Sequence, residues 1–523
     1  MLRADGVEFV LEGGRRILGP ASLDVAPGTL TALVGPSGSG KTTFLRQLAG
    51  ITLPTSGTVT LDDDPATRRV EDLGYVPQRE TVHQRLTVRE ALEYAAILRL
   101  DADEDITMRV DQVLRELDLE AQADTWVGDL SGGERRRAAC GQELVGRPRV
   151  LLLDEPTSGL DPVLERRLML MFRRLADNGR AVVVATHATA SLDLCDTVAV
   201  MRGGVLTITD DPEVAVESLR QAAGGDRAPD PLPEGETAPE DPPRLGIGTR
   251  PFGLEYRALA GRYARTLLRD RKTLRILLGQ SPIIGILIVL CFDPKAFDDN
   301  GDQVANTVMF IFLLMTGAIW LGITASCREI VKERGIIERE FDVGLRSDAY
   351  VLAKATVLFA LSTVQVVLMM VVVVLLQPLG ESGGAVLALI GLAVLVSWVS
   401  VALGLTVSAV ARSVDQAAGV IPLVLIPQLL FAGAVIPLAR MPAVASAFAQ
   451  VTYARWAYAG MGSAINLDDR LLAKPSANTA LGFNRSFFAM TPMTGAAALV
   501  CFLLILLALT AMLLQWRAPV DDA

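Results

Sequence analysis

Histidine, cysteine and lysine are all scarce in this 523-residue chain, with two, five and six copies. The cysteines, Cys140, Cys195, Cys291, Cys327 and Cys501, form no C-x-x-C pair and have no histidine at metal-ligand spacing, so they read as structural thiols and not as a zinc site. Positive charge is short as well. With 49 basic against 59 acidic residues the net charge is −10, and without a basic stripe to neutralise phosphates a nucleic-acid partner is excluded. Met1 to Gly6 runs into strand-like sequence and not into an apolar signal core, so no cleavable leader is read and the N-terminal region is expected in the cytosol. What the chain has in excess is oil. It is 51% hydrophobic yet 21% charged, too apolar for a soluble protein of this length and too charged for one wholly inside a bilayer. The two are reconciled by segregation: most acids lie in the first 250 residues, while 274 to 516 carries long apolar runs, so more than one domain is expected.

The sharpest local pattern is Gly35, Pro36, Ser37, Gly38, Ser39, Gly40, Lys41, Thr42, Thr43. The apolar run Leu30 to Val34 precedes it and Phe44 to Ala49 follows, so a buried strand is expected to feed a glycine-rich turn that opens a helix. In that context backbone N–H groups turn inward around a phosphate and the helix N-terminus adds positive potential. Lys41 reaches the β and γ phosphates, and Thr42 offers a hydroxyl to Mg²⁺. ATP and Mg²⁺ are therefore the expected cofactors.

Further along, Leu73 to Gln78 is an apolar stretch ending in an amide, and Gln78 becomes a candidate to touch Mg²⁺ and the attacking water. Helical spacing runs from Thr87 to Leu100 and from Thr107 to Leu119. Then comes Leu130-Ser131-Gly132-Gly133-Glu134, which resembles the signature of ATP-binding cassette (ABC) proteins. Ser131, Gly132, Gly133 and Glu134 would sit at a helix N-terminus and present donors to an anion. Val150 to Leu153 is a buried strand ending in Asp154 and Glu155. The resemblance makes Asp154 a Mg²⁺ ligand and Glu155 the base that polarises water. It also makes Ser158-Gly159-Leu160-Asp161 a loop crossing between paired domains, and His187 the γ-phosphate switch after the strand Ala181 to Ala185. His83 reads as an ordinary core or surface histidine. An aromatic that would stack on adenine is absent from Leu11 to Arg15, and Phe9 is the nearest.

Residues 221–251 are rich in Pro, Gly, Asp and Glu and read as a flexible linker, separating a nucleotide-binding domain at 1–220 from the rest. Residues 252–273 carry a basic amphipathic pattern suited to an anionic membrane face. Six apolar runs follow, near 276–292, 305–326, 355–376, 385–411, 416–436 and 494–514, each near or above the length that crosses a bilayer. Arg328, Lys332, Arg334, Arg339 and Arg346 follow the second run and Arg412 the fourth, which places both termini in the cytosol. A long outer loop is expected at 437–493. This half, 274–523, resembles the membrane domain of the ABCG (ABC-2 type) family in a bacterial-like form. The matching stretches are Leu268 to Leu274, Glu329 to Glu340, Pro427 to Gly433 and Ala454-Arg455-Trp456.

The fold class expected is thus an α/β P-loop ABC ATPase domain plus an all-α six-helix transmembrane domain. The resemblance implies Glu333, Arg334 and Glu340 as residues that couple the two, and Trp320, Ala434 and Val435 as lining a path between copies, with an interfacial-belt role for Trp320 left open. Gln365 and Gln428 would face that path or pair between helices. It further implies a homodimeric half-transporter in the cell (inner) membrane. Such a protein would export a hydrophobic or amphipathic small molecule or lipid, with bilayer lipid and a second copy as partners. The alternative is a nucleotide-gated channel or a membrane-bound signalling ATPase.

Overall fold

In the computed structural model, residues 1–11, 14–78, 82–101, 103–222, 251–292, 304–377, 381–473 and 487–516 are described. The chain divides into two compact units, Met1–Ala258 with Gly335–Arg346, and Leu259–Arg334 with Ser347–Ala523.

The first unit is built on two sheets. Strands β1 (Leu2–Val10), β2 (Arg16–Val25), β3 (Leu30–Val34), β4 (Ser56–Leu61), β5 (Asp64–Pro65), β6 (Leu73–Val76), β7 (Val150–Asp154), β8 (Ala181–Thr186), β9 (Thr197–Arg202) and β10 (Val205–Thr209) fall into an antiparallel sheet ordered β2-β1-β4-β5 and a second ordered β10-β9-β3-β8-β7-β6. In the second sheet all pairs are parallel except β10 with β9. Its inner strands β3, β7 and β8 are buried at every position, which is why they read as unbroken apolar runs rather than alternating ones. Helices α1 (Lys41–Leu48), α2 (Val88–Ile97), α3 (Ile106–Glu116), α4 (Gly132–Leu144), α5 (Pro162–Asp177) and α6 (Pro212–Ala222) complete the unit, with α4 and α2 both opened by reciprocal capping boxes. β6, β3, β7 and β8 all run the same way, so the segments after their carboxyl ends collect at one edge of the sheet. Ligands bind at that edge in open α/β folds.

Helix α7 (Phe252–Arg269) is shorter than the expected 252–273. Asp270 accepts from Thr273 N at 3.0 Å and caps a new helix, α8 (Arg271–Leu290), so the basic segment belongs partly to the first apolar helix. The rest of the helical unit comprises α9 (Val304–Ser326), the start of α10 (Arg334–Asp342), α11 (Ser347–Leu376), α12 (Gly383–Val410), α13 (Val414–Leu430), α14 (Ala443–Gln450), α15 (Tyr453–Ala464), α16 (Leu467–Ala473) and α17 (Pro492–Trp516). Five of them, α8, α9, α11, α12 and α17, are long and apolar enough to cross a membrane. The fifth of the six expected runs, 416–436, forms only the 17-residue α13, which carries Pro422 and Pro427 within it and ends before Gly433, whose φ is 92°. The unit is centred on α9 against α12, which approach so closely that a Cβ at Gly322 would overlap the Ser397 carbonyl. The two glutamines expected within apolar runs pair between helices: Gln365 Nε2 donates to Leu277 O at 2.7 Å, and Gln428 Oε1 accepts from Ala454 N at 3.2 Å.

Candidate functional site

The turn after β3 is shaped by its glycines. Gly38 and Gly40 have φ of 79° and 102°, values in the region that side-chain-bearing residues avoid. At Gly35 a Cβ would overlap the Met201 carbonyl. The turn delivers Lys41 as the first residue of α1, where it is 5% exposed. Its Nζ donates to Gly35 O and Pro36 O, each at 2.9 Å, and lies 3.9 Å from Glu155 Oε1. Burial lowers the Lys41 pKa while Glu155 and Asp154 act to raise it. Ser39 is buried too. Ser37 and Thr43 lie in the same turn and helix start.

At the end of β7, Asp154 is 2% exposed and accepts from Thr42 Oγ1 at 3.2 Å and Tyr75 OH at 3.4 Å. Burial raises its pKa. A buried carboxylate that, among the described residues, receives its hydrogen bonds from two hydroxyls fits a hard cation. Thr42, Asp154 and Gln78 are the groups that would hold Mg²⁺. Among the described residues there is no cluster of three or more His, Cys, Asp or Glu that could cage a metal without a ligand's help. The next residue, Glu155, adopts φ 47°, a left-handed backbone uncommon for a residue with a side chain. Its carboxylate receives Gln78 Nε2 at 2.9 Å and stands 3.7 Å from His187 Nδ1. The structure therefore brings Lys41, Thr42, Gln78, Asp154, Glu155 and His187 to one edge, although they come from four separate chain segments.

The signature residues are arranged differently. Ser131 N and Oγ both donate to Glu134 Oε2, at 2.9 and 2.7 Å, and these bonds lower the Glu134 pKa. Gly132 and Gly133 form the first turn of α4. Asp161 caps α5 by accepting from Val163 N and Leu164 N at 3.0 Å. Among the described residues no hydrogen bond joins Ser131–Glu134 to Lys41, Asp154 or Glu155. Arg136, further along α4, reaches the site's periphery, donating to Gln78 O at 2.6 Å.

The residues expected to couple the halves hold other partners. In the helical unit Glu333 pairs with Lys354 Nζ at 2.6 Å, and Arg334 donates to Ala411 O at 2.9 Å. Glu340 lies in the stretch that belongs to the first unit, and its charge acts on Arg99. Sequence reasoning missed its neighbour Arg339, which makes a two-pronged contact with Glu143 at 3.2 and 2.6 Å. Arg99 meets the same carboxylate at 2.8 Å, and the Arg339 guanidinium lies 5.8 Å from the Tyr75 ring centre. No sequence signal pairs residues 196 apart. Of the expected path residues, Trp320 is 45% exposed on α9, Val435 is exposed and Ala434 half-buried just after α13. Part of the Leu11 to Arg15 segment, residues 12 and 13, lies outside the described residues, as does most of the expected linker. All five cysteines are free, and His83 is buried.

Residues 18–158 match the family described as ABC transporter, and residues 255–465 match the one described as ABC-2 type transporter. The chain is 35% identical over 504 residues to the ABC transporter ATP-binding/permease protein Rv1747 of Mycobacterium tuberculosis, which covers 88% of this chain and 57% of that protein. It is 42% identical over 188 residues to ABC transporter G family member 22 of Arabidopsis thaliana, covering 34% of this chain and 25% of the relative. Nod factor export ATP-binding protein I of a Rhizobium species is 32% identical over 210 residues, 39% of this chain and 69% of that one. The chain thus spans a little over half the length of the Mycobacterium protein and a quarter of the Arabidopsis one. With an ATPase fold at its N-terminal side, an ABC-2 type membrane domain after it, and relatives of both kinds, the chain belongs to the ABC transporter family in the ABCG-like order.

Proposed function

We propose that this chain hydrolyses ATP to export a hydrophobic or amphipathic compound across the cell membrane, working as a homodimer with both termini in the cytosol. The observation that carries the reading is Glu155. It stands at the end of a buried strand in a strained backbone, tied to Gln78, near Lys41 and His187, a placement that suits a base holding a water against a bound γ-phosphate. Residues 35–43 cradle the phosphates, with Lys41 countering their charge. Mg²⁺ held by Thr42, Asp154 and Gln78 would neutralise charge on the β and γ oxygens. Glu155 takes the proton of the attacking water, and Gln78 and His187 orient that water and sense the γ-phosphate.

The dimer follows from the signature. Ser131, Gly132, Gly133 and Glu134 offer anion donors at a helix start but make no hydrogen bond to their own chain's P-loop. In this proposal they close on the ATP of a second copy, with Asp161 crossing between the two. Glu333, Arg334 and Glu340 transmit the closure, and Trp320, Ala434 and Val435 line the path. Export is the direction in the name of the Nod factor relative. The basic residues in the connections after α9 and α12 support a cytosolic side for those connections. The test is transport by purified protein in liposomes. Uphill, ATP-dependent movement of a compound that also stimulates the ATPase supports the proposal. Ion conductance with no uphill movement overturns it.

A further inference from the structure

Among the described charged residues that the proposed transport cycle does not use, Arg455 stands out with two buried donors that lack partners. It is the third residue of α15, in the segment between α13 and the last apolar helix. Its Nε and Nη1 are buried and make no hydrogen bond. Its guanidinium lies 4.3 Å from the centre of the Trp456 ring. Burial acts on its charge, and among the described residues no charged neighbour offsets it. A guanidinium carries five donors and no acceptor, and leaving two of them buried without a partner is costly.

The surroundings make the shortage worse. A cation in the first turn of a helix opposes the helix dipole, and α15 has no side-chain cap, because Thr452 Oγ1 turns back to Ala449 O at 2.8 Å. One first-turn donor, Ala454 N, is taken by Gln428 Oε1 at 3.2 Å, so the unpaired guanidinium donors are what this helix start leaves unanswered. Beside it runs a different kind of surface. Trp456 Nε1 donates to Gln450 O at 3.0 Å, fixing the Arg455–Trp456 pair at the end of α14. On α14 and just beyond, Val444, Phe448 and Val451 fall at helical spacing and are 84%, 50% and 64% exposed. A cation short of partners next to an exposed apolar stripe complements a lipid, charged at one end and apolar at the other.

We propose that Arg455 binds the phosphate of a bilayer phospholipid whose acyl chain lies along Val444, Phe448 and Val451. This rests on the membrane reading above, and in the orientation proposed there the lipid belongs to the outer leaflet. Arginine suits the task because its planar fork grips two phosphate oxygens at once, whereas lysine offers a point charge. Trp456 places its ring at the same depth, as interfacial tryptophans do.

The test uses the full chain, purified in detergent, stripped of lipid and titrated with phosphatidylglycerol or with a galactosyl diacylglycerol of the same acyl chains, bound lipid being counted by native mass spectrometry. The expected result is saturable retention of phosphatidylglycerol and not of the galactolipid. Arg455→Gln should weaken it at least tenfold and Arg455→Lys less. Val444→Ser, which leaves the cation in place, should weaken it severalfold and covers the case in which Arg455→Gln does not fold. Equal retention of phosphatidylglycerol by wild type and Arg455→Gln overturns the proposal. So does displacement of the lipid by millimolar inorganic phosphate with no effect of Val444→Ser, which would make this a soluble-anion site. Loss of dimer mass in Arg455→Gln without loss of lipid overturns it too, since Arg455 would then meet a second copy. A chain extractable without detergent would instead defeat the membrane reading itself.

Discussion

Gln78 donates to Glu155 across 2.9 Å, joining the segment after β6 to the end of β7. The amide and the carboxylate thus occupy one spot, the one where the proposed mechanism handles a water and a γ-phosphate together. Replacing Glu155 by Gln keeps the size and a hydrogen bond to Gln78 but removes the base. Hydrolysis should fall about 10²- to 10⁴-fold while ATP binding is kept, as measured by phosphate release and nucleotide retention on the same preparation. Unchanged turnover would defeat the assignment of Glu155.

Tyr75 offers a finer probe. Its hydroxyl faces Asp154 at 3.4 Å and the Arg339 guanidinium lies 5.8 Å from the centre of its ring. Tyr75→Phe removes one donor from the carboxylate and leaves the ring in place. The expected outcome is a severalfold change in the Mg²⁺ concentration giving half-maximal ATPase rate, with little change in melting temperature. A purely structural role would give the reverse.

Glu143 is 6% exposed and shared by Arg339 and Arg99. Glu143→Ala leaves two buried guanidinium groups without their carboxylate and should destabilise the protein by about 3–5 kcal/mol. Burial pushes the Glu143 carboxyl up, but the two arginines outweigh it and hold its pKa below the ordinary range. A depressed carboxyl stabilises fully above its unfolded value, near ~4.3, and loses that contribution as pH falls through the folded one. Thermal unfolding followed from pH 6 down toward about pH 3 should therefore show a loss of stability in acid that is smaller in Glu143→Gln.

Gly322 sits where α9 meets α12, under the Ser397 carbonyl. Gly322→Leu should force the two helices apart and destabilise the helical unit by about 1–3 kcal/mol or more, while Gly391→Leu on α12, which faces open space, should be near neutral. Melting temperatures in detergent compare the two.

Much of the ATP site was legible because its chemistry needs special backbone. Gly38, Gly40 and Lys41 must stand together in sequence to make the turn, and the strand ending in Asp154 and Glu155 announced itself by placing acids after an unbroken apolar run. The apolar helices were legible for a similar reason, length. Boundaries were less so: Asp270 splits an apparently continuous basic helix, and α13 ends at Leu430, short of Gly433 with its φ of 92°. Strands β9 and β10 went unread and only Leu23 to Val25 of β2 was strand-like in sequence, because much of β2 alternates between buried and exposed positions and β10 is half-buried or exposed throughout, which leaves weaker runs. Arg339 with Glu143, Lys354 with Glu333 and the unsatisfied Arg455 could not be read at all. Their meaning lies in what packs beside them, and only coordinates show that.

The central claim is that each ATP is enclosed by the P-loop of one copy and the signature of another. The direct measurement is co-expression of Lys41→Ala chains with Ser131→Arg chains, followed by ATPase assay of the purified mixture. Each variant alone should be inactive, and the mixture should recover about one quarter of wild-type activity, since half the pairs contain one intact composite site. A mixture as inactive as its parts, despite proven pairing, or full activity from either variant alone, would contradict it.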